Sequence, residues 1–201
     1  MRVSQSSVLF ASLGALTVAC TEARPAEPSR LCVVRHAEAY KNLDPRPAAL
    51  SDEALDALTP EGLARTAELR ATLPAGKLRA WASPTRRTRQ TAEGLRPETL
   101  VVEPALRSLD GAARWAARKR AAAEGRDLSV PDGESLADGA KRAQALLSRV
   151  RAALAPGEHA VLVTHGDLAP LLLGALRGTP LLERPARDGL ETGQMACAPL
   201  D

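Results

Sequence analysis

The sequence predicts a single α/β domain with a mainly parallel central sheet flanked by helices on both faces. Three observations carry that prediction. From Leu31 onward, short apolar strand-like runs alternate with stretches of helical periodicity, the pattern of a helix-covered sheet. Helix starts are marked where the alternation requires them, by the pairs Thr59-Pro60 and Ser83-Pro84, a capping hydroxyl followed by proline. And 201 residues suffice for one sizeable domain but not for two ordinary ones.

Taken in order, the first expected strand covers residues 31–35, the apolar part of "LCVVRHAE". "LTPEGLARTAELRATL" follows as a helix capped by Thr59 with Pro60 at its first position. "RAWAS" (79–83) is a short second strand, and Ser83-Pro84 introduces a helix over "TRRTRQTAEGL". A third strand is "TLVVE" (99–103), and helical stretches follow around 112–124 and 134–154. The longer of these puts Leu136, Ala140, Ala143, Leu146, Leu147 and Val150 on one face. "HAVLVT" (159–164) is the fourth strand, feeding "HGDLAPLLLGALRG", and a short final strand falls near 194–198.

The N-terminus reads differently. Residues 1–20, "MRVSQSSVLFASLGALTVAC", carry one basic residue, Arg2, ahead of an apolar run too short and too rich in small residues to span a bilayer. That is the form of a signal peptide. The ending Leu16-Thr17-Val18-Ala19-Cys20 is similar to a bacterial lipobox, which implies a lipidated Cys20 as the mature N-terminus. Ordinary secretion with cleavage nearby and an uncleaved anchor are the alternatives. Residues 21–30, "TEARPAEPSR", form an extended tether, leaving 31–201 as the folded domain. The expected location is the bacterial envelope, lipid-anchored and periplasm-facing, or the medium, with the membrane touched only through the anchor.

Composition excludes some functions. Hydrophobic residues make up 45% and charged residues 25%, a globular balance. Aromatics are nearly absent: Phe10, Tyr40, Trp81 and Trp115 are the whole set, too few for a single-stranded nucleic-acid platform. A net charge of +3 is too small and scattered to argue for nucleic acid either. Cys32 and Cys197 each lie in an apolar stretch and are expected as two buried thiols, though adjacent strands in an oxidising compartment would permit a disulfide. No CxxC or His/Cys cluster suggests a metal, and no cofactor is implied.

Ligands of such sheets bind beyond the carboxyl ends of the strands. Arg35-His36 stands at the end of the first strand and His165-Gly166 at the end of the fourth, so two of the three histidines share one edge. His159 opens a strand at the opposite edge and is expected to be structural or exposed.

These blocks resemble the histidine phosphatase superfamily, also called phosphoglycerate-mutase-like. Arg35-His36-Ala37 stands where that family has Arg-His-Gly. "RHAEAYKN", "SPTRRTRQTAEGL", "PDGES" and "VTHGD" follow in family order from about residue 31 to 170. The resemblance implies the same fold and a phosphatase acting on phosphate monoesters. His36 would be the nucleophile that carries a phosphohistidine, with its other ring nitrogen fixed by a backbone carbonyl. Arg35, Arg87 and His165 would hold the phosphoryl group, and Asn42 would contact it. Of the neighbouring arginines, the spacing within the block selects Arg87.

The proton donor is where this chain departs from the family. Leu106-Arg107-Ser108-Leu109-Asp110-Gly111 has Ser108 where many members have the catalytic glutamate. Asp110 is the nearest replacement, Glu134 a second candidate near the pocket, and water the third. Two other readings remain beside the phosphomonoesterase. One is a phosphohistidine protein phosphatase, since phosphoramidate cleavage demands less proton donation. The other is a non-catalytic phosphate-binding lipoprotein. The partner expected in each enzymatic case is a small or peptide-borne phosphoryl group, and substrate identity and oligomeric state are not written in the sequence.

Overall fold

The structure is a computed structural model that describes residues 29–110 and 112–200, with the side chains of residues 112 and 113 left aside. The signal-peptide segment, Cys20 and most of the tether lie outside these residues. The strands are β1 (Arg30–Arg35), β2 (Leu78–Ala82), β3 (Thr99–Val102), β4 (His159–Thr164) and β5 (Met195–Pro199). They form one sheet in the order β3-β2-β4-β1-β5. The first four are mutually parallel and β5 runs antiparallel beside β1. The α/β expectation holds, strand for strand.

The helices are α1 (Asp52–Leu55), α2 (Pro60–Ala71), α3 (Arg86–Gly94), α4 (Ala112–Ala123), α5 (Leu136–Ala153), α6 (Ala169–Arg177) and α7 (Arg184–Arg187). Because alternate side chains of a strand point to opposite faces, β1 divides its apolar run. Leu31 and Val33 join the α5 and α6 side chains Leu136, Leu146, Leu147, Leu171 and Leu172 in one core. Cys32 and Val34 join Leu69 of α2 and Ala92 of α3 in another, so both faces are covered. α2 begins as its sequence predicts: Thr59 Oγ1 accepts from Gly62 N at 3.0 Å and Pro60 occupies the first position.

Two expectations need correction. The Ser83-Pro84 pair does not cap α3, which starts two residues later with Thr85 as N-cap and no side-chain cap bond. Ser83 instead continues β2, its N–H reaching Val163 O at 3.1 Å. Arg87 still falls in the first turn. The second correction is Cys32 and Cys197, which form a disulfide rather than two thiols. The register of β5 sets Cys197 directly opposite Cys32, and no sequence pattern announces a strand pairing across 165 residues.

The register also builds the site. Ala82 lies opposite Val163, and Thr164 opposite Arg35. Continuing the register, Ser83 stands level with Thr164 and Arg35, and His165 with His36 one residue further on, so all three emerge where three neighbouring strands end. His36 N–H donates to Thr164 O at 2.9 Å, holding the first and fourth strands together as they end.

Candidate active site

The loop that leaves β1 is pinned before any functional group is considered. Ala37 N–H donates to Thr91 Oγ1 at 3.0 Å, and Thr91 in turn donates to Arg87 O at 2.7 Å, tying the loop to α3. On the other side Glu38 O accepts from Thr59 N at 3.0 Å. Gly62 is required there, since a Cβ would lie 2.1 Å from Glu38 O. Ala37 is fully buried beside Ala39 and Leu58, so the methyl that replaces the family glycine packs inward.

His36 is 4% exposed. Its Nδ1 lies 2.8 Å from Ala37 O. A carbonyl can only accept, so the proton is on Nδ1 and the lone pair on Nε2. Burial, aided by the charges of Arg87 and Arg35, pushes the pKa down from 6.5 to about 3, against the pull of the Ala37 carbonyl. The imidazole is neutral at any ordinary pH. His165 stands edge-on to it, ring centroids 5.5 Å apart.

His165 is held by side chains. Arg87 Nη2 donates to its Nδ1 at 2.9 Å, which places the proton on Nε2, and Nε2–H donates to Ser83 Oγ at 2.8 Å. Burial and then the Arg87 charge depress its pKa well below the usual value. Both nitrogens are thus engaged, and donation to a phosphate from Nδ1 requires Arg87 to turn away and a proton to take its place.

Arg87 is steered from beneath by Asp56, which accepts from its Nη1, from Arg86 N at 2.7 Å and from Lys41 Nζ at 3.3 Å. Burial opposes ionisation of Asp56, but the Arg87 charge and these donors hold its carboxyl below the ordinary range. Arg35 donates from Nη1 to Leu190 O at 2.9 Å and packs against Gly166, where a Cβ would approach its guanidinium to 3.0 Å. Nε of Arg35 and Nε of Arg87 are both buried without a hydrogen-bond partner. Two unmet donors beside a neutral imidazole make a site for an anion.

The cavity over these strand ends measures about 440 Å³. Arg35, His36, Arg87 and His165 line it together, as the sequence expects. Asn42 reaches it from the loop after β1, although its Oδ1 is spent accepting from Ala39 N at 3.0 Å. Trp115 and Lys119 of α4 and Lys41 add to the wall, and Ser108, Asp167 and Glu191 line it as well.

The two carboxylates expected as acids are elsewhere. Asp110 is not among the lining residues and is clasped by both Nη atoms of Arg118, which is fully buried. Those hydrogen bonds, more than burial opposes them, keep its carboxyl low and ionised. Arg118 is therefore the partner of Asp110 and no part of the pocket mouth. Glu134 is likewise outside the lining, paired to Nε and Nη2 of Arg142 and to Arg107. Spacing along the chain brought both near the site on paper; arginines claimed them in three dimensions.

Ser83, Asp56 and Asp167 are site residues that sequence reasoning passed over. Asp167 alone had a visible signal, as the last letter of "VTHGD". Among the described residues, no group of three or more His, Cys, Asp or Glu side chains is placed to hold a metal ion.

Comparisons with known proteins agree with this geometry. Residues 31–193 match the profile of the Histidine phosphatase superfamily (branch 1). A mycobacterial glucosyl-3-phosphoglycerate phosphatase, solved with VO3, superposes with a TM-score of 0.63 at 25% identity, covering 84% of this chain and 92% of the other. A Thermus thermophilus protein gives 0.55 at 28% identity over 84% and 92% of the two chains. An Escherichia coli protein described as a candidate alpha-ribazole-5'-P phosphatase gives 0.62 at 19% identity over 84% and 89%, a likeness of fold. Comparison with curated protein sequences gave no match.

Proposed function

The chain belongs to the histidine phosphatase superfamily, branch 1, and on that premise we propose that it hydrolyses phosphate monoesters through a phosphohistidine on His36. One observation carries the reading: His36 keeps its Nε2 lone pair free beside the unmet N–H groups of Arg35 and Arg87. In the first step Nε2 attacks phosphorus, the P–N bond forms, the P–O bond to the alcohol breaks, and the alcohol oxygen takes a proton. In the second, water attacks the phosphohistidine, the P–N bond breaks and phosphate leaves. Arginine suits the pocket because its planar fork stays charged while charge spreads over the equatorial oxygens. The mycobacterial glucosyl-3-phosphoglycerate phosphatase to which the chain is similar supports a small phosphate ester as substrate.

The test is to quench the purified chain during turnover of p-nitrophenyl phosphate and map the phosphoryl group by mass spectrometry under alkaline conditions. A phosphoryl group on His36 supports the reading; turnover without one overturns it. A phosphohistidine peptide assayed in parallel, if it alone is cleaved, replaces the ester substrate with a phosphoramidate.

The reading includes export, with residues 1–20 removed or lipidated at Cys20. The Cys32–Cys197 disulfide supports it, because such bonds persist in oxidising compartments. Fatty-acid labelling of the full chain, lost in Cys20→Ala, is the expected result, and unlabelled chain in the cytoplasm refutes it.

A further inference from the structure

We propose that Asp167, held by Ser108, is the group that gives the leaving alcohol its proton and later takes one from the attacking water. The inference rests on the phosphatase reading above and names the acid that reading lacks.

Among the described residues, two carboxylates line the cavity, Asp167 and Glu191. Glu191 is on the rim, with its side chain 84% exposed and 3.9 Å from Arg35 Nη1. Asp167 is inside, 4% exposed. It sits two residues beyond His165, just ahead of α6, and its Oδ2 accepts from Ser108 Oγ and from Leu109 N at 2.9 Å. Its Oδ1 is buried with no hydrogen-bond partner. A buried carboxylate oxygen left bare costs free energy unless a proton or a ligand completes it.

The other buried carboxylate oxygen without a hydrogen-bond partner among the described residues, Asp188 Oδ2, belongs to a side chain that Arg177 already pairs, away from the cavity. Asp167 is thus, among the described residues, the one buried carboxylate that lines the pocket with an oxygen to spare. Since Oδ2 accepts two hydrogen bonds, the acid form carries its proton on Oδ1.

The steps balance. As the bond between phosphorus and the leaving oxygen breaks, the Oδ1 proton passes to that oxygen and Asp167 becomes a carboxylate. When water attacks the phosphohistidine, its proton returns to Asp167 and the acid is restored. Ser108 is a positioning residue: it fixes Oδ2 so that Oδ1 is the free edge.

The experiment compares Asp167→Asn, Ser108→Ala and Glu191→Gln with the wild-type full chain on two esters. One is p-nitrophenyl phosphate, whose phenolate leaves unaided; the other is glycerol 3-phosphate, whose alkoxide needs a proton. For Asp167→Asn, kcat/KM on glycerol 3-phosphate should fall about a hundredfold or more, and on p-nitrophenyl phosphate less than about tenfold. The first turnover of p-nitrophenyl phosphate should appear as a burst, because hydrolysis of the phosphohistidine has lost its base. Ser108→Ala, which leaves the carboxyl in place, should show a smaller loss with the same dependence on leaving group; it carries the test if Asp167→Asn does not fold. Equal losses on both esters, no loss on either, or the leaving-group dependence in Glu191→Gln instead would each overturn the assignment. A wild-type chain that turns over neither ester and forms no phosphohistidine overturns the phosphatase reading itself, a result distinguishable because no variant is involved.

Discussion

The three histidines occupy the two ends of one sheet, and the contrast between the ends shows what a site is. At the amino end His159, 1% exposed, is finished: Arg30 N donates to its Nδ1 at 3.1 Å and its Nε2 donates to Ala75 O at 2.9 Å. Both partners are backbone, and nothing is left over. At the carboxyl end His165 is satisfied only by side chains that can move, and His36 has one nitrogen fixed and the other open. Burial is nearly the same for all three. What separates structure from chemistry here is whether hydrogen-bonding capacity is closed.

That contrast can be broken most sharply at the nucleophile. His36→Ala should lower kcat on p-nitrophenyl phosphate by about a thousandfold or more, because the route through a covalent intermediate is lost. The melting temperature at neutral pH should fall only by a few degrees, through the unmet Ala37 carbonyl and the space the ring leaves, far too little to account for the kinetic loss. Steady-state kinetics and a thermal melt of the same sample check both statements.

A second prediction concerns pH. The folded chain holds His36 at about 3, whereas the unfolded chain titrates near 6.5. Between those values the unfolded state binds a proton that the folded state refuses, so stability falls as pH falls through this window. His165, depressed in the same direction, adds to the slope. His36→Asn should flatten it: thermal melts between about pH 7 and about pH 4 should lose fewer degrees in the variant than in the wild type. An identical slope would mean that the folded state protonates His36 readily.

The smallest effect belongs to the finished histidine. His159→Ala strands Arg30 N and Ala75 O, and should cost about 1–3 kcal/mol per unmet group, with kcat and KM unchanged within about twofold. Gly76, whose added Cβ would sit 3.2 Å from the His159 ring, shows how closely the turn is fitted to that side chain. A kinetic defect in His159→Ala would show that the two ends of the sheet are coupled.

The order of the strands and of the longer helices was legible in the sequence because each of these elements is local, whereas the four-residue helices α1 and α7 are too short to show a periodicity. Apolar runs such as "AVLVT" in β4 and caps such as Thr59 with Pro60 act over a few residues. The presence of Arg35, His36 and His165 at strand ends followed from the same local rules plus the geometry of parallel sheets, and Arg87, in the first turn of α3, from the resemblance of its block to the family. What was not legible depends on partners far apart in sequence. The Cys32–Cys197 bond needs β5 to lie against β1, which only the sheet order decides. The fate of the carboxylates is the same lesson. Asp110 and Glu134 stand close to the motif blocks in sequence, yet Arg118 and Arg142 neutralise them outside the cavity. Asp167 lies two residues past His165 in sequence and is hydrogen-bonded to Ser108, 59 residues earlier, and only folding joins the two. Sequence by itself determined which elements form and where chemistry would gather, because strand ends and helix caps are local facts; tertiary structure decided which charged groups are cancelled and which are left open, because pairing energy depends on distance in space.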